Sequence, residues 1–197
     1  LSLSNWTEIY SQETTLSSLK CILIDVQATG ASPKSGALLE LAYMSLSEQK
    51  GMDQGEVISL DRLVMLPPGV KIPRRVSQLT GIKNTMLKSA MQPDVIASQL
   101  WTVIADTCEK IDRGETWVWL AHVARYEHAF IRALCLAHRP PKQLVKEAEQ
   151  LFDRIPWVCT HGICVRLYPT LPRRTLSAMN SVFGGDCHDL KRASHRL

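Results

Sequence analysis

The sequence predicts an α/β domain: a mixed sheet with an antiparallel edge, flanked by helices. Three observations lead there. Residues 21–30, Cys-Ile-Leu-Ile-Asp-Val-Gln-Ala-Thr-Gly, form an aliphatic and β-branched run closed by a Thr-Gly turn, as a buried strand would. Two more strand-like runs follow within forty residues, joined by a polar hairpin. Beyond Pro93, amphipathic helical periodicity alternates with short apolar strands, which gives an antiparallel edge and a helix-covered remainder.

The bulk properties agree. At 197 residues and 22.1 kDa, with 45% hydrophobic and 21% charged residues, the chain suits one domain with a real core. Its net charge of +4 favours an acidic partner only weakly. The basic residues are not evenly spread, however: Lys191, Arg192, His195 and Arg196 crowd the end, with Arg173-Arg174 before them. Such clusters contact phosphates or form solvated helix faces. No run is long and apolar enough for a membrane span, so no membrane partner is expected. The chain opens on Leu1 rather than Met, as a trimmed or excised chain would, and lacks a basic-then-apolar signal pattern. Six cysteines in a chain that needs no staples are expected as reduced thiols, in a cytoplasmic setting.

The elements follow in order. Residues 1–19, with Trp6, Ile9 and Tyr10 at roughly helical spacing, read as an N-terminal arm or docking helix, and residues 20–197 as the main domain. After the first strand, Pro33-Lys34-Ser35-Gly36 makes a loop. Strands are expected over Leu38–Leu46 and Glu56–Leu66, with a hairpin at Ser47–Gly55, and Pro67-Pro68-Gly69 ends the third. Residues 72–82 are expected to be irregular. Ile96, Leu100, Val103, Ile104 and Ile111 mark a helix starting at Pro93. Trp117–Ala121 reads as a buried strand, with Trp117 and Trp119 assigned to opposite faces. Tyr126, Phe130, Ala133, Leu134 and Ala137 mark the next helix, which Pro140-Pro141 stops. A polar helix over 142–152, a strand over Pro156–Cys159, a helix ending before Pro169 and another over Thr175–Val182 complete the pattern, and Gly184-Gly185 breaks the last.

The candidate chemistry begins at the first strand's end. Side chains two apart share a strand face, so Asp25 and Gln27 point into one space. With a Glu at 27 the pair would be a twin-carboxylate metal site; with Gln it is half of one. Cys159-x-His161-x2-Cys164 with Cys187-His188 has soft-metal ligand types but matches no common zinc module. His122 reads as a histidine satisfied by structural hydrogen bonds.

Four stretches then fall in a telling order: Asp25-Val-Gln-Ala-Thr-Gly30; Ile72-Pro73 with Leu79-Thr80-Gly81-Ile82; Ala121-His122-Val123-Ala124-Arg125-Tyr126-Glu127; and Leu167-Tyr168-Pro169 through Phe183-Gly184 and His188. In this order the chain resembles the DnaQ-like 3′–5′ exonucleases of the DEDDh group, over about residues 20 to 195. The resemblance implies a ribonuclease-H-like mixed sheet and a reaction in which four carboxylates hold two Mg²⁺ or Mn²⁺ ions while a His acts as general base. Carried over by position, Asp25 fits the first carboxylate, Gln27 stands in place of Glu, Glu127 in place of the second Asp and Val123 in place of an Asn. His188 fits the base, and Ala193 stands where the last Asp should fall. Asp186 and Asp189 flank His188 without the expected spacing.

Asp25 and Glu127 thus supply half the charge that balances two divalent ions, so the resemblance implies at most one weakly held Mg²⁺ or Mn²⁺, or none. It also places Thr29, Gly30, Leu79 and Thr80 beside a 3′-terminal nucleotide, and Arg192 of the basic end is a further candidate for phosphate contact. The expected role is a catalytically impaired exonuclease-fold module that binds single-stranded nucleic acid or a protein partner. The alternative is an active 3′–5′ exonuclease using Asp25, Glu127 and His188.

Overall fold

The computed structural model describes residues 20–46, 59–138, 148–184 and 192–193. The arm at 1–19, the hairpin at 47–55, the start of the polar helix, His188 and most of the basic end lie outside the described residues.

Five strands form one mixed sheet in the order β3-β2-β1-β4-β5. β1 (Lys20–Ala28) pairs antiparallel with β2 (Leu38–Leu46), which pairs antiparallel with β3 (Ser59–Leu63). The short turn after β1 permits that hairpin. On β1's other side lie β4 (Trp117–Ala121) and then β5 (Trp157–Cys159), both parallel, reached by helical crossovers as parallel pairing requires. This is the ribonuclease-H-like arrangement, an α/β fold with an antiparallel edge.

Helices cover the face that carries Ile22, Ile24 and Val26 of β1. α2 (Pro93–Asp112) starts with Pro at its first turn and buries Ile96, Leu100, Trp101 and Ile104. α3 (Ala124–Ala137) adds Phe130, Ile131 and Leu134, and α4 (Ala148–Arg154) adds Leu151 and Phe152. The Trp101 indole N–H reaches the carbonyls of Cys135 (3.3 Å) and His138 (3.2 Å), which locks α2 against the end of α3. α5 (Thr160–Leu167) and α6 (Leu176–Val182) complete the described helices. The five described cysteines are free thiols, and burial pushes the Cys135 thiol up to about 12.

Two expectations are corrected. Residues 72–82 are not wholly irregular: α1 spans Arg74–Thr80 and ends at Gly81, whose φ of 73° is left-handed. Only Val76 of its middle packs inward, so seven mostly polar residues carry no legible period. Trp117 and Trp119 do not face opposite sides. Residues two apart on a strand share a face, and both rings lie in the main core. Trp119 packs on Trp157 at 5.0 Å between centroids, and Lys110 of α2 lies 4.9 Å from the Trp117 ring.

A register shift between Gln27 and Ala28 leaves one extra residue on β2. This bulge sends Leu38 into the main core and Leu39 into a second cluster with Ile72 and Ile82, where α1 and a 3₁₀ segment (Asn84–Ser89) dock. The bulge therefore sits directly beside the end of β1 that carries the candidate site.

Candidate functional site

Asp25 and Gln27 lie on the face of β1 opposite Ile24 and Val26. Asp25 is 5% exposed and Glu127 4%, so both are carboxylates held out of bulk water. Glu127 stands in the first turn of α3, where a negative charge is favoured by the helix dipole. The Tyr126 hydroxyl donates to the Gly30 carbonyl at 3.3 Å. That bond fastens the start of α3 to the turn after β1, which brings the two acidic positions to the same end of the sheet. Val123 precedes α3 as a cap residue without a side-chain bond, the polar group lost from that motif.

A third carboxylate belongs to this face. Glu40 of β2 is directly opposite Gln27 in the register, and it is completely buried. Its Oε1 accepts from Arg192 Nε at 2.6 Å, and its Oε2 accepts from the Ala193 backbone N–H at 2.7 Å. A second Arg192 nitrogen also pairs with Oε1. Sequence reasoning missed Glu40. The signal was present as one charged residue inside the apolar run Leu38-Leu39-Glu40-Leu41-Ala42, two positions from which it could face the same way as Gln27.

The residues at the four family positions can now be tested against a pair of divalent cations. Asp25 and Glu127 offer carboxylates and Gln27 an amide. Ala193 offers a buried methyl, and its backbone points a hydrogen, not an oxygen, at Glu40. Among the described residues no group of three His, Cys, Asp or Glu is arranged to hold a metal. This donor set does not fit two metals, which need several hard oxygen ligands each. His188, the expected base, lies outside the described residues.

The residues expected beside a nucleic-acid end divide into two kinds. Thr29 and Gly30 form a tight, well-bonded turn: Thr29 N–H donates to Ala37 O at 2.8 Å, and Ala37 N–H donates to Thr29 Oγ1 at 2.8 Å. Gly30 and Gly36 touch backbone to backbone, since a Cβ on Gly30 would lie 2.7 Å from the Ser35 carbonyl oxygen. Leu79 is 64% exposed and free to meet a ligand. Thr80 is different. It is buried, its hydroxyl donates to Val76 O at 2.9 Å and accepts from Ile82 N at 3.2 Å, so it finishes α1. Arg192, expected on a phosphate, is engaged by Glu40.

Two other candidates resolve structurally. His122 bonds Thr160 Oγ1 through Nδ1 and the Arg174 carbonyl through Nε2, each at 3.0 Å. A carbonyl only accepts, so Nε2 carries a proton, and in the neutral ring Nδ1 accepts from the threonine. Cys159 caps α5, its sulfur accepting from Gly162 N–H at 3.4 Å and lying 3.4 Å from the His122 carbonyl. A zinc site is not built here among the described residues.

No family model matches the chain. The DNA polymerase III subunit epsilon of Aquifex aeolicus (strain VF5) is 22% identical over 172 residues, 87% of this chain and 72% of that protein. The chain is thus similar in sequence to that polymerase subunit and shares its fold with solved 3′–5′ exonucleases. Solved structures carry the same fold. The zinc-bound form of the E. coli exonuclease I complex with single-stranded DNA superposes with a TM-score of 0.68 at 12% identity, over 90% of this chain and 38% of that one. A 3′-exonuclease that recognises the 3′ end of the histone mRNA stem-loop gives 0.58 at 14% identity, over 89% and 74%. The chain spans about two fifths of the length of the exonuclease I structures it matches. No helix among the described residues is long and apolar enough to cross a membrane.

Proposed function

We propose that this DnaQ-like domain binds the 3′ end of single-stranded nucleic acid and does not hydrolyse it efficiently. The observation that carries the reading is Ala193: where the family fold places a metal-binding carboxylate, a buried methyl stands, with its amide hydrogen on Glu40. The turn beside the site is firmly held. The Thr29-Gly30 turn is cross-bonded to Ala37, Tyr126 anchors it to α3, and α1 docks on the bulged Leu39 beside it with Leu79 exposed. Arg125, in the first turn of α3, and Lys34, in the loop after β1, are solvent-exposed cations near that turn and are the candidates for phosphate contact.

A second reading is slow, metal-dependent 3′–5′ exonuclease activity. It is favoured by the retention of Asp25 and Glu127 as buried carboxylates at one end of the sheet. One weakly held Mg²⁺ or Mn²⁺ would then sit on that pair, with His188 as the base.

A 5′-labelled single-stranded oligonucleotide separates these readings. Fluorescence anisotropy against a free and a blocked 3′ end, at rising salt, is expected to show tighter binding of the free end. Two or three phosphate contacts give a log–log salt slope of about −1.4 to −2. The same oligonucleotide with Mn²⁺ on a sequencing gel is expected to stay intact. A ladder of shortened products that Asp25→Ala abolishes overturns the reading in favour of the exonuclease. Absence of salt-dependent binding overturns it in favour of a protein partner.

A further inference from the structure

We infer that Arg192 is a tethered counter-ion: its guanidinium replaces a divalent cation in neutralising the acidic face of this centre. The inference rests on the reading of the centre as depleted, and deepens it. A fully buried carboxylate is costly unless it is paired and hydrogen-bonded. Glu40 meets that demand without metal. Arg192 Nε and a second guanidinium nitrogen hold Oε1, and the Ala193 amide holds Oε2, so both oxygens are satisfied from one two-residue stretch.

The placement matters as much as the pairing. Glu40 stands directly across from Gln27 and diagonally from Asp25, the two β1 positions on the site face. Directly opposed side chains on paired strands lie about 5 Å apart at Cβ, and diagonal ones about 7–8 Å. Arg192 therefore delivers its charge to the edge of the carboxylate group that a metal would otherwise balance. It does so from the position immediately before Ala193, the residue that lacks the ligand. The loss of a ligand at 193 and the gain of a cation at 192 are adjacent in the chain and act on one carboxylate.

The guanidinium side chain is 22% exposed, so it closes the centre from the solvent side while Glu40 stays dry. Planar, permanently charged and multidentate, arginine suits that task where lysine would give a single point charge. Two consequences follow. The domain should fold and hold its site end without divalent cations. Removal of Arg192 should leave Glu40 without its cation and held only by the Ala193 amide, so that a hard cation can take the place of the guanidinium.

Thermal melting by circular dichroism, in EDTA and in millimolar MnCl₂, tests this on the full chain. The native protein is expected to melt at the same temperature in both. Arg192→Ala is expected to melt roughly 5–10 °C lower in EDTA and to regain at least half of that in Mn²⁺. The double variant Glu40→Gln with Arg192→Ala is expected to show no Mn²⁺ response. Should Arg192→Ala be unfolded in EDTA, Arg192→Lys, which keeps the charge without the planar fork, carries the test with a smaller Mn²⁺ shift. Two results overturn the inference: a native protein that Mn²⁺ stabilises as much as it does the variant, or Arg192 variants that Mn²⁺ leaves unmoved. Neither depends on the oligonucleotide assays, so failure here is distinct from failure of the binding reading.

Discussion

Gly36→Ala probes the turn on which the binding reading depends. A methyl at 36 would fall on the Gly30 nitrogen, 2.6 Å from Gly30 Cα and 3.1 Å from the Thr29 carbonyl carbon, all backbone atoms with no rotamer to retreat into. Relief requires the two segments to part by roughly 1 Å, to bring the Gly30 nitrogen to ordinary contact near 3.4 Å. That movement stretches the two 2.8 Å bonds between Thr29 and Ala37. Overpacking costs about 1–3 kcal/mol, and weakening two bonds adds up to about 1 kcal/mol each. The expected loss is about 2–4 kcal/mol, or roughly 5–15 °C in Tm for a chain of this size. Gly81→Ala is the control, because Gly81 has φ of 73° but nothing within 4 Å of an added Cβ. It should lose only the conformational cost of about 1–2 kcal/mol. Urea denaturation reads both, with anisotropy on the free 3′ end as the functional readout. If Gly36→Ala costs no more than Gly81→Ala, the close crossing does not exist in solution and the argument from the turn fails.

Two other predictions concern charge. Burial pushes the His128 imidazole below its ordinary value, with Arg132 adding to the effect and Asp153 opposing it, and the ring packs on Phe152 and Trp157. The unfolded ring takes its proton near about pH 6.5 and the folded ring only lower. Stability is therefore complete above that pH, falls as pH drops toward the folded value, and then levels. His128→Gln should flatten the urea midpoint between about pH 7 and 5, and an unchanged slope refutes the assignment. Gln27→Glu should cost about 0.5–1 kcal/mol at neutral pH, because it sets two carboxylates directly opposite on paired strands. A urea midpoint at or above native would show that Glu40 does not face position 27.

The sheet and its large helices were legible because each announces itself locally. Leu38–Leu46 and Trp117–Ala121 keep their expected bounds, and α2 starts at Pro93 and runs one residue past Ile111. Aliphatic runs, helical spacing and proline stops suffice there. α1 was not legible, since its seven residues bury little and its end is written only by Gly81. The site was half legible. Asp25, Gln27, Glu127 and Ala193 could be placed by motif, one position at a time. The backbone bonds of the Thr80 hydroxyl were not legible, because a hydroxyl in a loop motif does not announce which backbone groups it meets. Contacts of Glu40 with Arg192 and Ala193 span 152 and 153 residues, and no local pattern carries them.

Those long contacts change how the substitutions should be weighed. Taken singly, Gln27 and Ala193 are two departures from the carboxylates that the family resemblance would place there. Taken with Glu40 and Arg192 they form one electrostatic arrangement. A carboxylate at 27 would repel Glu40 unless a cation stood between them, whereas the Gln27 amide beside Glu40 needs none. A carboxylate at 193 would add negative charge next to Glu40, which Arg192 already neutralises; an alanine there adds none while its backbone amide completes Glu40's bonds. Each change is tolerable because the others are present. The physical consequence is that a single acidic residue placed at 27 or 193 should weaken the fold. A two-metal centre on this face would have to displace Arg192 from Glu40 as well as supply further carboxylates.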